Sequence, residues 1–230
     1  MRMRRKRNLD TFVTMYPDLL IIPEKPDLNT EKALEHQEYI DFKSLLGDKP
    51  LEVEIGCGKG GFICEMARLH PEKAFVAVEC SKNVIVEGCR KAREMNLTNL
   101  RFMNCAAEIL PCFLAPDSVD RIYLNFSCPY PKYTYAIHRL THARFLATYK
   151  MFLKKGCEIH QKTDNQQLFE FSIEQFSACG FRLQNVSLDL HHSKFEGNIV
   201  TEYEQKFASQ GLPIYRLEAV YEGNAGEKSL

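Results

Sequence analysis

Leu51-Glu52-Val53-Glu54-Ile55-Gly56-Cys57-Gly58-Lys59-Gly60-Gly61 reads as a strand that runs into a cluster of glycines, and Gly60–His70 behind it reads as a helix stopped by Pro71. A strand, a glycine turn and a helix in that order open an α/β fold. The pattern repeats outward. Strands are expected at Ala74–Glu79, Leu100–Cys105, Val119–Phe126 and Gly156–Thr163, and helices at Lys82–Met95 and Ile137–Leu153. Asp164 or Asn165 can cap a further helix that runs to Cys179, with Gly180 to end it. Phe181–Leu190 and Tyr215–Tyr221 read as late strands with no strongly periodic helix between them. Strands alternating with helices predict a mostly parallel, Rossmann-like sheet with helices on both faces. Ligands of such sheets bind beyond the carboxyl ends of the strands.

The chain has 230 residues, 45% of them apolar, which suits one α/β domain. We expect a basic arm over residues 1–30, a catalytic domain over 31–222 and a tail over 223–230. No apolar run reaches the 18 residues a membrane helix requires, and the basic N-terminus has no apolar stretch behind it, so neither a span nor a secretory signal is expected. Nine cysteines are scattered without Cys-x-x-Cys spacing, which predicts reduced thiols, a cytoplasmic location and no metal. His138 and His142 stand four apart, but no acidic third ligand lies near them. The formal net charge is +0, yet Arg2, Arg4, Arg5, Lys6 and Arg7 crowd the start, and residues 128–155 carry six Lys or Arg and no acid. Two such regions suggest a directed positive face; a solvated tail and an ordinary helix surface are the plain alternative.

The glycine spacing is ambiguous. Gly56, Gly58 and Gly61 satisfy the dinucleotide pattern, and Gly56, Gly58 and Gly60 the tighter Gly-x-Gly-x-Gly. Glu54 discriminates better. A carboxylate two residues before the first glycine suits an ammonium or sulfonium group and sits poorly beside a pyrophosphate. Glu79, 23 residues after Gly56, can accept ribose hydroxyls and repels a 2′-phosphate.

From here the chain resembles the bacterial tRNA (guanine-N7)-methyltransferase family over about residues 2–220. The pieces that carry the resemblance are Glu54-Ile-Gly-Cys-Gly-Lys-Gly60, Glu79, Asn125-Phe-Ser-Cys-Pro-Tyr-Pro-Lys132, His138-Arg139-Leu140, Lys162-Thr163-Asp164, Thr201-Glu-Tyr-Glu204, Lys206-Phe207 and Gly211-Leu-Pro-Ile214. The glycine loop is common to many methyltransferases; the ordered set from Asn125 to Pro213 is specific. The resemblance implies a seven-stranded sheet with an antiparallel last strand, S-adenosylmethionine as cofactor, and tRNA as partner to a monomer or homodimer. It implies cofactor contacts at Glu54, Gly56, Gly58, Glu79, Ala106, Ala107 and Asn125. It implies substrate contacts at Lys132, Asp164, Thr201, Glu202, Tyr203 and Glu204.

Two positions depart from the family pattern Asn-Phe-x-Asp-Pro-Trp-Pro-Lys: Cys128 stands for the aspartate and Tyr130 for the tryptophan. Ala106 stands where the family has an adenine-side aspartate, so backbone groups or Asn104 are left to read that ring. Guanine N7 presents a lone pair at the major-groove edge and carries no proton, so its methylation needs alignment rather than a general base. A carboxylate at position 128 would stabilise the cationic product; a thiol does so only as a thiolate. Two outcomes stay open: an active enzyme in which alignment dominates, with Asp164 or Glu204 holding the base, or a weakly active or non-catalytic tRNA-binding paralogue. Tyr123, Tyr130, Tyr133 and Tyr135 surround the basic loop and either stack on bases or cover the loop. If the arm grips phosphates, deleting residues 1–7 weakens tRNA binding and flattens its salt dependence in a filter-binding titration; unchanged affinity refutes this role.

Overall fold

The computed structural model describes residues 14–24 and 37–223. The basic cluster at residues 2–7, the rest of the arm up to residue 13 and beyond residue 24, and the tail from residue 224 lie outside them. By its contacts the chain forms two compact units, Met1–Phe113 and Leu114–Leu230.

The first unit begins with β1 (Leu20–Ile21), which pairs in parallel with a later strand. Helix α1 (Phe42–Leu46) follows, capped by the Asp41 carboxylate on the Ser44 amide. Then come β2 (Leu51–Ile55), α2 (Gly61–Leu69), β3 (Ala74–Val78), α3 (Lys82–Glu94) and β4 (Leu100–Met103). All four strands are parallel, in the order β1-β4-β3-β2. Every residue of β2 and β3 is buried, as expected of a parallel sheet covered on both faces. α2 packs on α3 and β3, and α3 packs on β4. That packing is close: a Cβ on Gly88 of α3 would lie 2.5 Å from the Phe102 ring of β4. Strand β1 falls inside the segment expected as an arm. Tyr16, Leu19 and Leu20 are buried, and the Arg93 guanidinium lies 5.0 Å over the Tyr16 ring, so residues 14–24 are part of the folded unit.

The second unit contains β5 (Val119–Asn125), α4 (Ala143–Lys150), β6 (Leu153–Thr163), α5 (Gln166–Ala178), β7 (Phe181–Ser187), α6 (Glu202–Ala208) and β8 (Tyr215–Tyr221). The order is β5-β6-β8-β7. β5 and β6 run parallel, and β8 runs antiparallel to both its neighbours. The seven strands of the expected mostly parallel α/β architecture are present, with β1 as an eighth.

Three expectations change in this unit. The single helix over Ile137–Leu153 is instead a 3₁₀ turn (Tyr133–His138), an extended link and α4. Arg139 breaks it: its backbone is extended and its guanidinium donates to the Pro129 and Tyr130 carbonyls at 2.9 and 3.1 Å. β6 starts at Leu153 rather than Gly156, with a register shift against β5 between Val119 and Arg121. A late helix, α6, stands where no helix was expected; Thr201 nucleates it by accepting the Glu204 amide at 2.9 Å.

Alternate residues of β6 face opposite ways. Ile159 and Gln161 face α5, where Gln161 donates to Ser172 at 2.9 Å and Ser172 lies 2.8 Å from Thr141. Glu158, His160 and Lys162 face the other side. There His160 lies 2.7 Å from Glu158, edge-on to Tyr123 at 5.6 Å, and 3.8 Å from Glu218. Arg121 pairs with Glu158, Arg216 pairs with Glu218, and Gln184 donates to both carboxylates. Glu158, His160 and Glu218 could present three ligand atoms to a metal, but these arginines already match their charge.

Burial lowers the His160 pKa, against its hydrogen bond to the Glu158 carboxylate, which raises it. A neutral native imidazole therefore contributes stability that is whole above the unfolded value near 6.5 and lost as pH falls below it. The Glu158 pKa is lowered by its His160 hydrogen bond. At Glu218 burial pulls upward, and the hydrogen bonds from Arg216 and Asn185 outweigh it. These carboxylate contributions are lost only at lower pH. Between about pH 7 and about pH 5 the melting temperature should fall, and His160→Asn should flatten that slope. Equal slopes by differential scanning fluorimetry would contradict it.

Candidate functional site

In the first unit the glycine turn follows β2 directly. The Gly56 and Cys57 amides donate to the Val78 carbonyl at 2.8 and 3.0 Å, which ties the turn to the end of β3. Gly56, Gly58 and Gly60 have φ of 81°, 55° and 69°, in the left-handed region, while Gly61 opens α2. The tighter Gly-x-Gly-x-Gly spacing is therefore the one that turns the chain. At Gly60 a Cβ would also lie 3.0 Å from the Gly88 Cα, so only glycine lets the turn rest on α3. At Gly58 a Cβ would meet nothing within 4 Å: this part of the turn borders open space.

Two carboxylates flank that turn. Glu54 is buried on β2 at 2% exposure. Glu79 is half-buried after β3; one carboxylate oxygen accepts the Gly58 amide at 3.2 Å and the other the Ser81 amide at 2.8 Å. Both acids bear on Cys57: burial pushes its thiol well above the usual range, and the Glu54 and Glu79 charges push it further. The turn is thus a negative environment, suited to a cationic ligand and hostile to a pyrophosphate. Asn104 does not read a ligand with its amide nitrogen, which donates to the Glu79 carbonyl at 2.7 Å and fixes the acid's backbone. Ala106 is extended and leads into a 3₁₀ turn that starts at the buried Ala107.

In the second unit the implied substrate residues cluster around the carboxyl ends of β5 and β6. Asn125 closes β5 and is buried. Phe126 follows with φ of 50°, and its amide donates to the Lys162 carbonyl at 2.8 Å. Cys128 is exposed on the next loop, and Lys132 is exposed at its end. Among the described residues no side chain engages the Lys132 ammonium or the Cys128 sulfur. Arg139 supports the loop from beneath, with its guanidinium 4.4 Å over the Phe171 ring. Tyr123 is buried in its strand, Tyr130 packs against His138, and Tyr133 is 91% exposed. His142 is not a ligand in waiting: its ring caps α4 by accepting the Arg144 amide.

Asp164 is half-buried just past β6, and its carboxylate has no hydrogen bond or ion pair among the described residues. Glu204 is the opposite case. It is wholly buried, and its carboxylate accepts Lys162 at 2.8 Å, His191 at 2.9 Å and Asn198 at 2.5 Å. Tyr203 beside it is 62% exposed and stacks on Phe126 at 6.5 Å. Thr201 begins the same helix, and Glu202 is its first residue. Sequence reasoning gave no role to Phe126, His191 or Asn198 and left Lys162 as part of a motif.

The fold and the acid-flanked turn define a class I methyltransferase. Residues 48–217 match the family model described as a putative methyltransferase. The 16S rRNA methyltransferase KamB has the same fold, with a TM-score of 0.60 at 16% identity, covering 81% of this chain and 96% of that one. A SAM-dependent methyltransferase from Aquifex aeolicus superposes with a TM-score of 0.53 at 14% identity, over 94% of this chain and all of that one (100%). The tRNA (guanine-N(7)-)-methyltransferase of Geobacillus kaustophilus is 43% identical over 96% of this chain and 97% of its own length. That of Halalkalibacterium halodurans is 48% identical over 79% of this chain and 82% of its own. The chain belongs to the tRNA (guanine-N7)-methyltransferase family.

Glu79 organises the turn through two backbone amides, and the resemblance implies it as a cofactor contact. Hydrogen bonds to a charged group contribute about 1.5–3 kcal/mol, so Glu79→Ala should weaken S-adenosylmethionine binding roughly ten- to a hundredfold by calorimetry. Unchanged affinity removes Glu79 from the cofactor contacts.

Proposed function

We propose that this protein transfers a methyl group from S-adenosylmethionine to N7 of a guanine in tRNA. One observation carries the reading: a turn of three left-handed glycines flanked by Glu54 and Glu79, in a chain 43% identical along 96% of its length to a tRNA (guanine-N(7)-)-methyltransferase. The residues present fit the cofactor. Glu54 faces its cationic amino acid end, Glu79 takes the ribose, Gly56 and Gly58 allow close backbone approach, and Ala106 and Ala107 line the adenine with backbone. The resemblance implies Asn125, at the end of β5, as a further cofactor contact. When bound, the cofactor supplies an electrophilic methyl on a positively charged sulfur.

The second unit handles the base. N7 has a lone pair and no proton, so the protein's work is to fix the angle and distance of approach. Such alignment lowers a barrier by about 7–11 kcal/mol. Asp164 accepts the N1 proton and an amino proton of guanine, since its carboxylate is uncommitted. Lys132 meets a phosphate, and the exposed Tyr203 ring, braced by Phe126, offers a stacking face. Thr201 and Glu202 set the entry to that helix. Cys128 occupies the position of the family aspartate and leaves alignment as the dominant contribution. Such an enzyme acts in the cytoplasm, where its substrate is.

The test is transfer of a labelled methyl to bulk tRNA, with the modified base mapped by strand scission at N7-methylguanosine. Wild type should methylate, Asp164→Asn should lower kcat/KM by roughly tenfold or more, the equivalent of about 1.4 kcal/mol or more, and Cys128→Asp should raise the single-turnover rate. Methylation by Cys128→Asp alone would make the native chain a tRNA-binding paralogue.

A further inference from the structure

A lysine ammonium deprived of water needs a counter-charge and three acceptors. Lys162, 6% exposed at the end of β6, finds all of these in one segment: Glu204 at 2.8 Å, Asn198 at 3.0 Å and the Ile199 carbonyl at 2.9 Å. Its main chain meanwhile accepts the Phe126 amide at 2.8 Å. Glu204 answers with both oxygens, because His191 and Asn198 occupy the one that Lys162 does not. Glu204 thus has no exposed surface to offer a base and both carboxylate oxygens already engaged within the protein, although its motif marks it as a substrate contact.

The geometry points to Lys162 and Glu204 as a pair of positioning residues rather than substrate ligands. Their task is to hold residues 198–204 against the ends of β5 and β6, which keeps the Tyr203 ring stacked on Phe126 and Thr201 at the start of α6. Base recognition then falls to groups with uncommitted polar atoms, Asp164 foremost. The inference rests on the methyl-transfer reading above and deepens it by dividing the acids of that site into one that holds the protein and one that holds the base.

The experiment compares wild type, K162M, E204Q and the apolar double variant K162M/E204L. Each is assayed well below its melting temperature for tRNA methylation, S-adenosylmethionine affinity and thermal unfolding. Orphaning one buried charge destabilises a protein, whereas replacing both partners with apolar groups is often neutral. The double variant should therefore regain most of the melting temperature lost by K162M. It should nevertheless keep a kcat/KM for tRNA about a hundredfold below wild type, the loss expected when a site is misplaced by about 1 Å. Cofactor affinity should stay within about threefold throughout, by the locality of the change. E204Q should also lose activity yet keep the wild-type preference for guanine over hypoxanthine at the target position, and D164N should lose that preference.

Recovery of wild-type activity in the double variant would make the pair a stability device alone. Loss of the guanine preference in E204Q would return Glu204 to the base. E204Q is close to isosteric and answers the second question even if the double variant does not fold. Failure of wild type to methylate tRNA at all would overturn the parent reading instead.

Discussion

The buried ammonium of Lys162 is the constraint on which the region around the carboxyl ends of β5 and β6 depends. A charge removed from water costs several kcal/mol unless matched, and a lysine has three protons to place. A carboxylate, an amide oxygen and a carbonyl from residues 198–204 meet it together, which ties that segment to the end of β6. The cost of burial thereby becomes specificity of position. Phe126, bonded to the Lys162 carbonyl, and Tyr203, stacked on Phe126, inherit that position.

The first unit solves a different electrostatic problem. On the proposed reading its ligand is a cation, so the protein has to keep negative charge beside a backbone turn without letting the turn collapse. Glu79 does both, since two backbone amides hold its carboxylate against the loop it flanks. Glu54 is fixed by the strand that carries it, every residue of which is buried. Burial raises the Cys57 thiol first, and the charges of Glu54 and Glu79 raise it further.

Burial divides the charged residues by role. Lys162 and Glu204 are engaged with each other and hidden; Lys132 and Asp164 have no described partner and reach the surface. A group already saturated has little to gain from a ligand, whereas an unsatisfied one at a loop end gains a full charge-assisted hydrogen bond. Arg139 belongs with the first kind, because its guanidinium is spent on the carbonyls of the loop that carries Cys128.

Local sequence determined the strands, most helices, the parallel class of sheet, and the pairing of a glycine cluster with Glu54 and Glu79. These follow from short-range steric preference and from the period of apolar residues, which any stretch of chain expresses by itself. Tertiary structure decided the rest. Backbone φ values, not spacing, chose Gly60 over Gly61 as the third turn glycine. Arg139 interrupted an apparently continuous helix through carbonyls nine and ten residues away. Tyr16, Leu19 and Leu20 turned part of an apparent arm into a folded edge, because their apolar surface found β4 and α3. Glu204 could not be told from Asp164 by sequence, since both are acids in specific motifs. The lysine that separates their roles lies 42 residues from Glu204, and only folding brings it within 2.8 Å.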